Sequence, residues 1–210
     1  MQSGKARVTQ VESVVFDIGR VLVRLDFRRI LAYFSRHGLD TGGMDALLEQ
    51  IELAAYERGE FDGQELLRRI CRLGDGRMEV AELHREWLGM FTPDEDMLAL
   101  ARGIASQRRV YLLSNIGDLH WDFLSREIEV ESIGHGALPS FRARAAKPDA
   151  AIYRHAEQLF GLDPSTTVFI DDLVANVDAA RQRGWRAIHH LDYPSTVQDL
   201  RGMGVIDWAP

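Results

Sequence analysis

Four short runs of apolar residues, rich in β-branched and aromatic side chains and each ending in polar ones, constrain this chain more than any other feature. They are "VESVVFD" (11–17), "RRVYLLSN" (108–115), "TTVFIDD" (166–172) and "WRAIHHL" (185–191). Runs of this length and composition read as strands. The near-continuous apolar character of "VYLL" and "TVFI" suits strands covered on both faces, as in a parallel sheet. Helical patterns separate them. Met97, Leu98, Ala101, Ile104 and Ala105 form an apolar stripe behind a capping box at Thr92-Pro93-Asp94-Glu95, with Pro93 at the first helical position. Gly161 and Gly184 are placed to stop two further helices. Strands alternating with helices indicate an α/β fold with a doubly wound parallel sheet.

One stretch breaks the alternation. Residues 27–91 contain no strand pattern but four helical stripes. Phe27, Ile30, Leu31 and Phe34 form the first, and Met44, Leu47, Leu48, Ile51 and Ala55 the second. Leu66, Leu67 and Ile70 follow an Asp62/Glu65 capping box, and Val80, Leu83, Trp87, Leu88 and Phe91 complete the set. The expected organisation is therefore an α/β core from 1–26 and 92–210, with a helical insertion at 27–91 directly after the first strand.

Composition narrows the partners. A net charge of −7 leaves no basic field for nucleic acid or anionic lipid. The single cysteine, Cys71, rules out an internal disulfide and a cysteine-based metal site. No apolar run approaches the ~20 residues of a membrane span. The N-terminal "MQSGKARVTQ" lacks an apolar h-region, so a cytoplasmic protein is expected. Oligomeric state is left open between monomer and homodimer.

In a parallel α/β sheet, ligands bind beyond the carboxyl ends of the strands. The polar residues at those ends are Asp17, then Ser114 and Asn115, then Asp171 and Asp172, and Lys147 joins them from "AAKPDAAIY". Each alone is as much at home in a turn or cap. Their agreement across several strand ends points instead to one site for a divalent cation and a phosphate. Carboxylates are the hard oxygen ligands that magnesium prefers, while a lysine and a hydroxyl hold phosphate oxygens.

The motifs "VVFDIGRVLV", "LLSN", "KPDAAIY" and "VFIDDLVAN", in this order and over nearly the whole chain, resemble the four motifs of haloacid dehalogenase (HAD) superfamily hydrolases with a helical cap of the first type. The resemblance is greatest to bacterial sugar-phosphate phosphatases of the α-glucose-1-phosphate type, whose first motif also has glycine at its third position. The Asp-Asp-x-x-x-Asn pattern is shared with the phosphatase domain of soluble epoxide hydrolases. The resemblance implies a Mg²⁺-dependent phosphatase acting on a small phosphorylated metabolite, with Asp17 as the nucleophile that forms an aspartyl-phosphate. Ser114 and Asn115 would bind the phosphoryl group, and Lys147 would counter its charge. Asp17, the Gly19 carbonyl and Asp172 would hold the metal, with Asp171 and Asn176 in support. The insertion would be a cap that closes over the site.

Two residues depart from the family pattern. The usual phosphatase of this family has a second Asp where this chain has Gly19. Glycine keeps the backbone carbonyl but loses the side chain that protonates the leaving oxygen, a function that typically carries ~10²–10⁴-fold in rate. Asp26 and His120 are the residues to test as substitutes. Arg20 either clamps phosphate or pairs with a carboxylate. Two rival functions follow from Gly19: a metal-independent 2-haloacid dehalogenase, or a non-catalytic protein that binds a phosphorylated ligand. The adjacent acids Asp171 and Asp172 beside Asp17 favour the metal enzyme, because they repel without a cation. Of the remaining features, His189-His190 read as a strand end, "RARAAK" (142–147) as a solvated loop, and "DWAP" as a tail packed by Trp208.

Overall fold

The computed structural model describes residues 10–208; the N-terminal segment 1–9 and residues 209–210 lie outside the described residues. The four apolar runs form strands β1 (Ser13–Phe16), β4 (Arg109–Ser114), β6 (Thr167–Asp171) and β7 (Arg186–His189). A short fifth member, β5 (Ala137–Pro139), was not evident from its Gly- and Pro-flanked sequence. The sheet runs in the order β5-β4-β1-β6-β7, and all neighbours pair in parallel. From β1 the chain passes to β4 on one side, whereas β6 passes to β7 on the other. The crevice between the carboxyl ends of β1 and β6 is therefore the topological switch point, where such sheets bind ligands.

Alternate strand residues feed two cores, as the pleat requires. Val14, Phe16, Leu112, Val168 and Ile170 face one, covered by α6 (Glu95–Ala105), α7 (Asp118–Glu127) and α11 (Tyr193–Gly202). Val15, Leu113 and Phe169 face the other, covered by α9 (Ala150–Phe160) and α10 (Val174–Gln182). Gly161 ends α9 in the left-handed conformation at φ 62°, and Gly184 follows α10 at φ 88°. Two local expectations are corrected here. Pro93 does not open α6 but ends a strand, β3 (Phe91–Pro93), and Asp94 caps the helix by accepting from the Met97 amide at 3.2 Å. The "RARAAK" stretch is not solvated throughout: its first two residues end α8 (Ser140–Ala143), and Ala143 and Ala145 are buried in the second core. Trp208 does pack, its ring lying against Gly103 of α6.

Between β1 and α6 the chain forms five helices, not four: α1 (Arg28–Arg36), α2 (Met44–Gln50), α3 (Leu53–Glu57), α4 (Gly63–Leu73) and α5 (Val80–Leu88). The second stripe is split because Glu52 takes a left-handed conformation, φ 55°, between α2 and α3. The Asp62 carboxylate caps α4 by accepting from the Glu65 amide at 2.8 Å, but the Glu65 side chain turns to Arg68, Arg69 and Arg72 instead of completing the box. These helices bury their own cluster, centred on Tyr33, Phe34, Leu47, Leu66, Leu83 and Trp87. A two-stranded antiparallel ribbon, β2 (Val23–Leu25) with β3, closes the insertion at its base.

Candidate active site

The strand ends bring the expected residues together. Asp17 follows β1, Ser114 ends β4, and Asp171 ends β6. Lys147, whose side chain is 1% exposed, bridges two of them: its Nζ lies 2.8 Å from Asp17 Oδ1 and 2.6 Å from Asp171 Oδ2. Asp17 Oδ1 also accepts from Ser114 Oγ and from the Ile18 amide, both at 2.7 Å. One carboxylate oxygen is thus held by three donors, while Oδ2 has no partner among the described residues. The carboxylate is oriented through one oxygen, with the other left over.

The supporting residues divide the work. The Asn115 side chain and the Lys147 backbone bond reciprocally, Nδ2 to the carbonyl and Oδ1 from the amide, each at 2.8 Å. Asn115 thereby positions the lysine. Asp171 is fully buried and saturated: besides the lysine, its Oδ1 accepts from Asn176 Nδ2 and the Leu173 amide, each at 2.9 Å. Asp172, by contrast, is only partly buried, and its one ion pair among the described residues is a loose 3.8 Å contact with Arg20. Arg20 thus pairs with a carboxylate, from an exposed position and a left-handed backbone, φ 57°. The Gly19 carbonyl accepts no hydrogen bond among the described residues. His189 and His190 make ordinary contacts, with the Asp172 carbonyl and the Thr196 hydroxyl at 2.9 and 2.8 Å.

Charge explains the electrostatics. Burial pulls the Lys147 ammonium down, but attraction to Asp17 and Asp171 outweighs it and holds the lysine above its ordinary range. One ammonium does not balance two buried acids. Burial, reinforced by the Asp171 charge, raises Asp17 to about 6 despite Lys147 and Ser114. Burial and Asp171 also raise Asp172, against Arg20 and Lys147. Carboxylate oxygens of Asp17, Asp171 and Asp172 come within 4.8 Å of one another. An acidic cluster in which Asp17 and Asp172 resist ionisation, with an Asp17 oxygen and a Gly19 carbonyl that have no partner among the described residues, fits a hard divalent cation.

A cavity of about 320 Å³ rises from this floor into the helical insertion. Asp17, Ser114, Lys147 and Asp172 line its base, and Leu25, Phe27, Leu53, Trp87, Met90 and Phe91 its upper wall. Neither proposed substitute for the missing acid is suited to the task. Asp26 does not line the cavity, and its hydrogen bonds to Arg28, the shortest at 2.6 Å, hold its carboxyl down at about 2. His120 lines the cavity but is buried among Trp87, Phe91 and Tyr56, and that burial drops it to about 3, so it is neutral. A different residue, Glu57 at the end of α3, lines the same cavity, and sequence reasoning did not single it out.

The insertion is fastened to the loop after β4. Tyr56 Oη accepts from the Leu119 amide at 3.0 Å, its ring packed on Gly117, where an added Cβ would lie 2.1 Å from a ring carbon. Gly117→Ala should therefore destabilise the protein by about 1–3 kcal/mol through overpacking. Urea denaturation checks this, and an unchanged midpoint would show that the Tyr56 clamp is not rigid.

The family model for haloacid dehalogenase-like hydrolases matches residues 11–184. The chain belongs to this family. Among similar proteins, a sesquiterpene phosphatase of Aspergillus oryzae is 29% identical over 149 residues, covering 70% of this chain and 76% of that one. A D-ribitol-5-phosphate phosphatase of Bacteroides thetaiotaomicron is 24% identical over 186 residues, covering 83% and 89%. The crystal structure of a HAD family enzyme from Bacteroides thetaiotaomicron, in complex with magnesium and inorganic phosphate, superposes with a TM-score of 0.76 at 24% identity. That match covers 85% of this chain and 93% of the other and shows the shared fold.

Proposed function

We propose that this HAD-like hydrolase is a magnesium-dependent phosphomonoesterase that cleaves a small phosphorylated metabolite through an aspartyl-phosphate on Asp17. The observation that carries the reading is the Asp17 carboxylate, pinned through one oxygen by Ser114, Ile18 and Lys147 beside the partly buried Asp172. Asp17 and Asp172, with the Gly19 carbonyl, would hold the magnesium, and Asp171 supports them by fixing Lys147. Bound there, the ion supplies positive charge to the phosphoryl oxygens. Asp17 attacks phosphorus and the leaving oxygen departs with the bonding pair. Ser114 and Lys147 stabilise the transferring group, and a water molecule then returns Asp17 to its free state. The unbalanced acids argue against a metal-free dehalogenase, since Lys147 and the loosely held Arg20 leave the three carboxylates of Asp17, Asp171 and Asp172 with an excess of negative charge.

In this reading the five-helix insertion, residues 27–91, is the cap, and its wall selects the substrate. That wall is mostly apolar, so the preferred leaving group is a hydrophobic alcohol, in keeping with the terpenoid phosphatase relative. A sugar phosphate is the second reading. The ribitol-phosphate phosphatase relative favours it, with Arg20, Glu57 and His120 as the available polar wall groups.

Phosphate release from a panel of esters, with magnesium and with chelator, tests the activity. Halide release from 2-chloropropionate without metal would overturn it. Along a series of straight-chain alkyl phosphates, kcat/KM should rise about fourfold for each methylene buried, from ~0.8 kcal/mol per CH₂. A flat series with faster sugar phosphates would reverse the order of the two substrate readings.

A further inference from the structure

The phosphatase reading leaves one proton unaccounted for, because Gly19 has no side chain to deliver it. We propose that Glu57, from the insertion and not from the core, is the catalytic acid and base of this site. The inference rests on the phosphatase reading and goes beyond it.

Placement is the first argument. Glu57 lines the cavity that has Asp17, Ser114 and Lys147 at its base, and it stands outside the cluster of acids suited to the metal. Its backbone is fixed to the site. The Ser140 hydroxyl donates to the Glu57 carbonyl at 2.5 Å and accepts from the Ile116 amide at 2.9 Å, and Ile116 follows directly on Ser114 and Asn115. The neighbouring Tyr56 is tied to Leu119, and the Arg144 guanidinium bonds the carbonyl of Gly59. Three contacts around one short turn thus set Glu57 relative to the loop that carries Ser114.

The carboxylate itself is free to work. It makes no hydrogen bond or ion pair with any described residue, unlike Asp26, which is held by Arg28. Burial and the Asp17 charge push it up to about 7, with Lys147 and Arg58 opposing. A group that titrates near neutrality can both give and take a proton.

The proton balance closes. As Asp17 attacks phosphorus, the bond from phosphorus to the leaving oxygen breaks, and that oxygen takes the Glu57 proton to depart as an alcohol. The Glu57 carboxylate then removes a proton from water, whose oxygen attacks phosphorus. The phosphorus–Asp17 bond breaks with its electrons returning to Asp17, and Glu57 ends protonated as it began.

Rapid-quench kinetics of Glu57→Gln in the full chain with magnesium test the assignment. With p-nitrophenyl phosphate, whose phenolate leaves without a proton, the variant should give a burst of nitrophenolate equal to the enzyme concentration. Slow turnover should follow, because hydrolysis of the aspartyl-phosphate lacks its base. With a primary alkyl phosphate no burst should appear, and aspartyl-phosphate formation should slow by about 10²–10⁴-fold. Equal slowing of the first step with both substrates, or slowing of neither, overturns the proposal. Melting curves show whether the variant is folded. Should it not fold, Glu57→Asp carries the same comparison, with the same unequal loss expected. A wild-type protein that forms no aspartyl-phosphate defeats the phosphatase reading itself, whereas an active wild type with an unaffected Glu57→Gln defeats only this assignment.

Discussion

Asp17→Asn should abolish turnover while making the metal-free protein harder to unfold. The amide is nearly isosteric, and its oxygen can still accept from Ser114 and Ile18, so the pocket keeps its shape. What it loses, on the phosphatase reading, is the nucleophile. Removing a residue that bonds covalently to substrate costs roughly 10⁴–10⁶-fold. The gain in stability has the opposite origin. Asp17 titrates at about 6 in the folded protein against an ordinary 3.8, so the folded state holds its proton more tightly than the unfolded chain does. The stability this gives is complete below pH 3.8 and is lost as the pH rises through 6, an amount on the order of 3 kcal/mol. The neutral asparagine removes that loss. Phosphate release and urea denaturation at pH 8 in chelator check both halves. Residual activity above a tenth of wild type would exclude Asp17 as nucleophile, and a less stable variant would show that the acid is not strained by its neighbours.

That opposition between function and stability could be anticipated only in part from the sequence. The floor of the site was legible because strand ends are local features. An apolar run says where the strand lies, and the polar residue after it says what reaches the ligand edge, as with Asp17, Ser114 and Asp171. Lys147 was legible from its motif, but its bridge between Asp17 and Asp171 was not. The wall was harder. Glu57 sits in "AAYERGE", which reads as an ordinary charged helix end. Its environment is made by Ser140 and Tyr56 contacts that span up to 83 residues of sequence. His120 misled for the same reason, since Trp87 and Phe91 bury it from the insertion side. Asp26 misled in reverse: it lies near the first motif, but Arg28 is closer and takes it. Short elements also escaped, because β3 contains a proline and β5 ends in one, so neither shows a strand pattern.

Lys147→Met should be the most damaging change to stability at this site, and its cost should depend on pH. The ammonium is buried with two acids, and burial of a charge is tolerated only with a partner. Methionine fills similar space but leaves Asp17 and Asp171 facing each other unneutralised. Losing one member of a buried ion pair typically costs ~3–5 kcal/mol. Asp17, already raised to about 6 by burial, responds by holding its proton to a higher pH. The folded variant therefore binds more protons than its unfolded chain over a wider range, and its stability falls further than that of the wild type as the pH is raised. Denaturation in chelator should show the full loss at pH 8 and a smaller one at pH 5, where Asp17 is protonated. An equal loss at both would mean that the lysine acts through packing alone. Turnover with magnesium should fall about 10²–10³-fold, the scale of losing one donor to the transferring group. The two readouts separate the functions of the lysine, since added magnesium can offset the repulsion between the acids without restoring the hydrogen bond that orients Asp17.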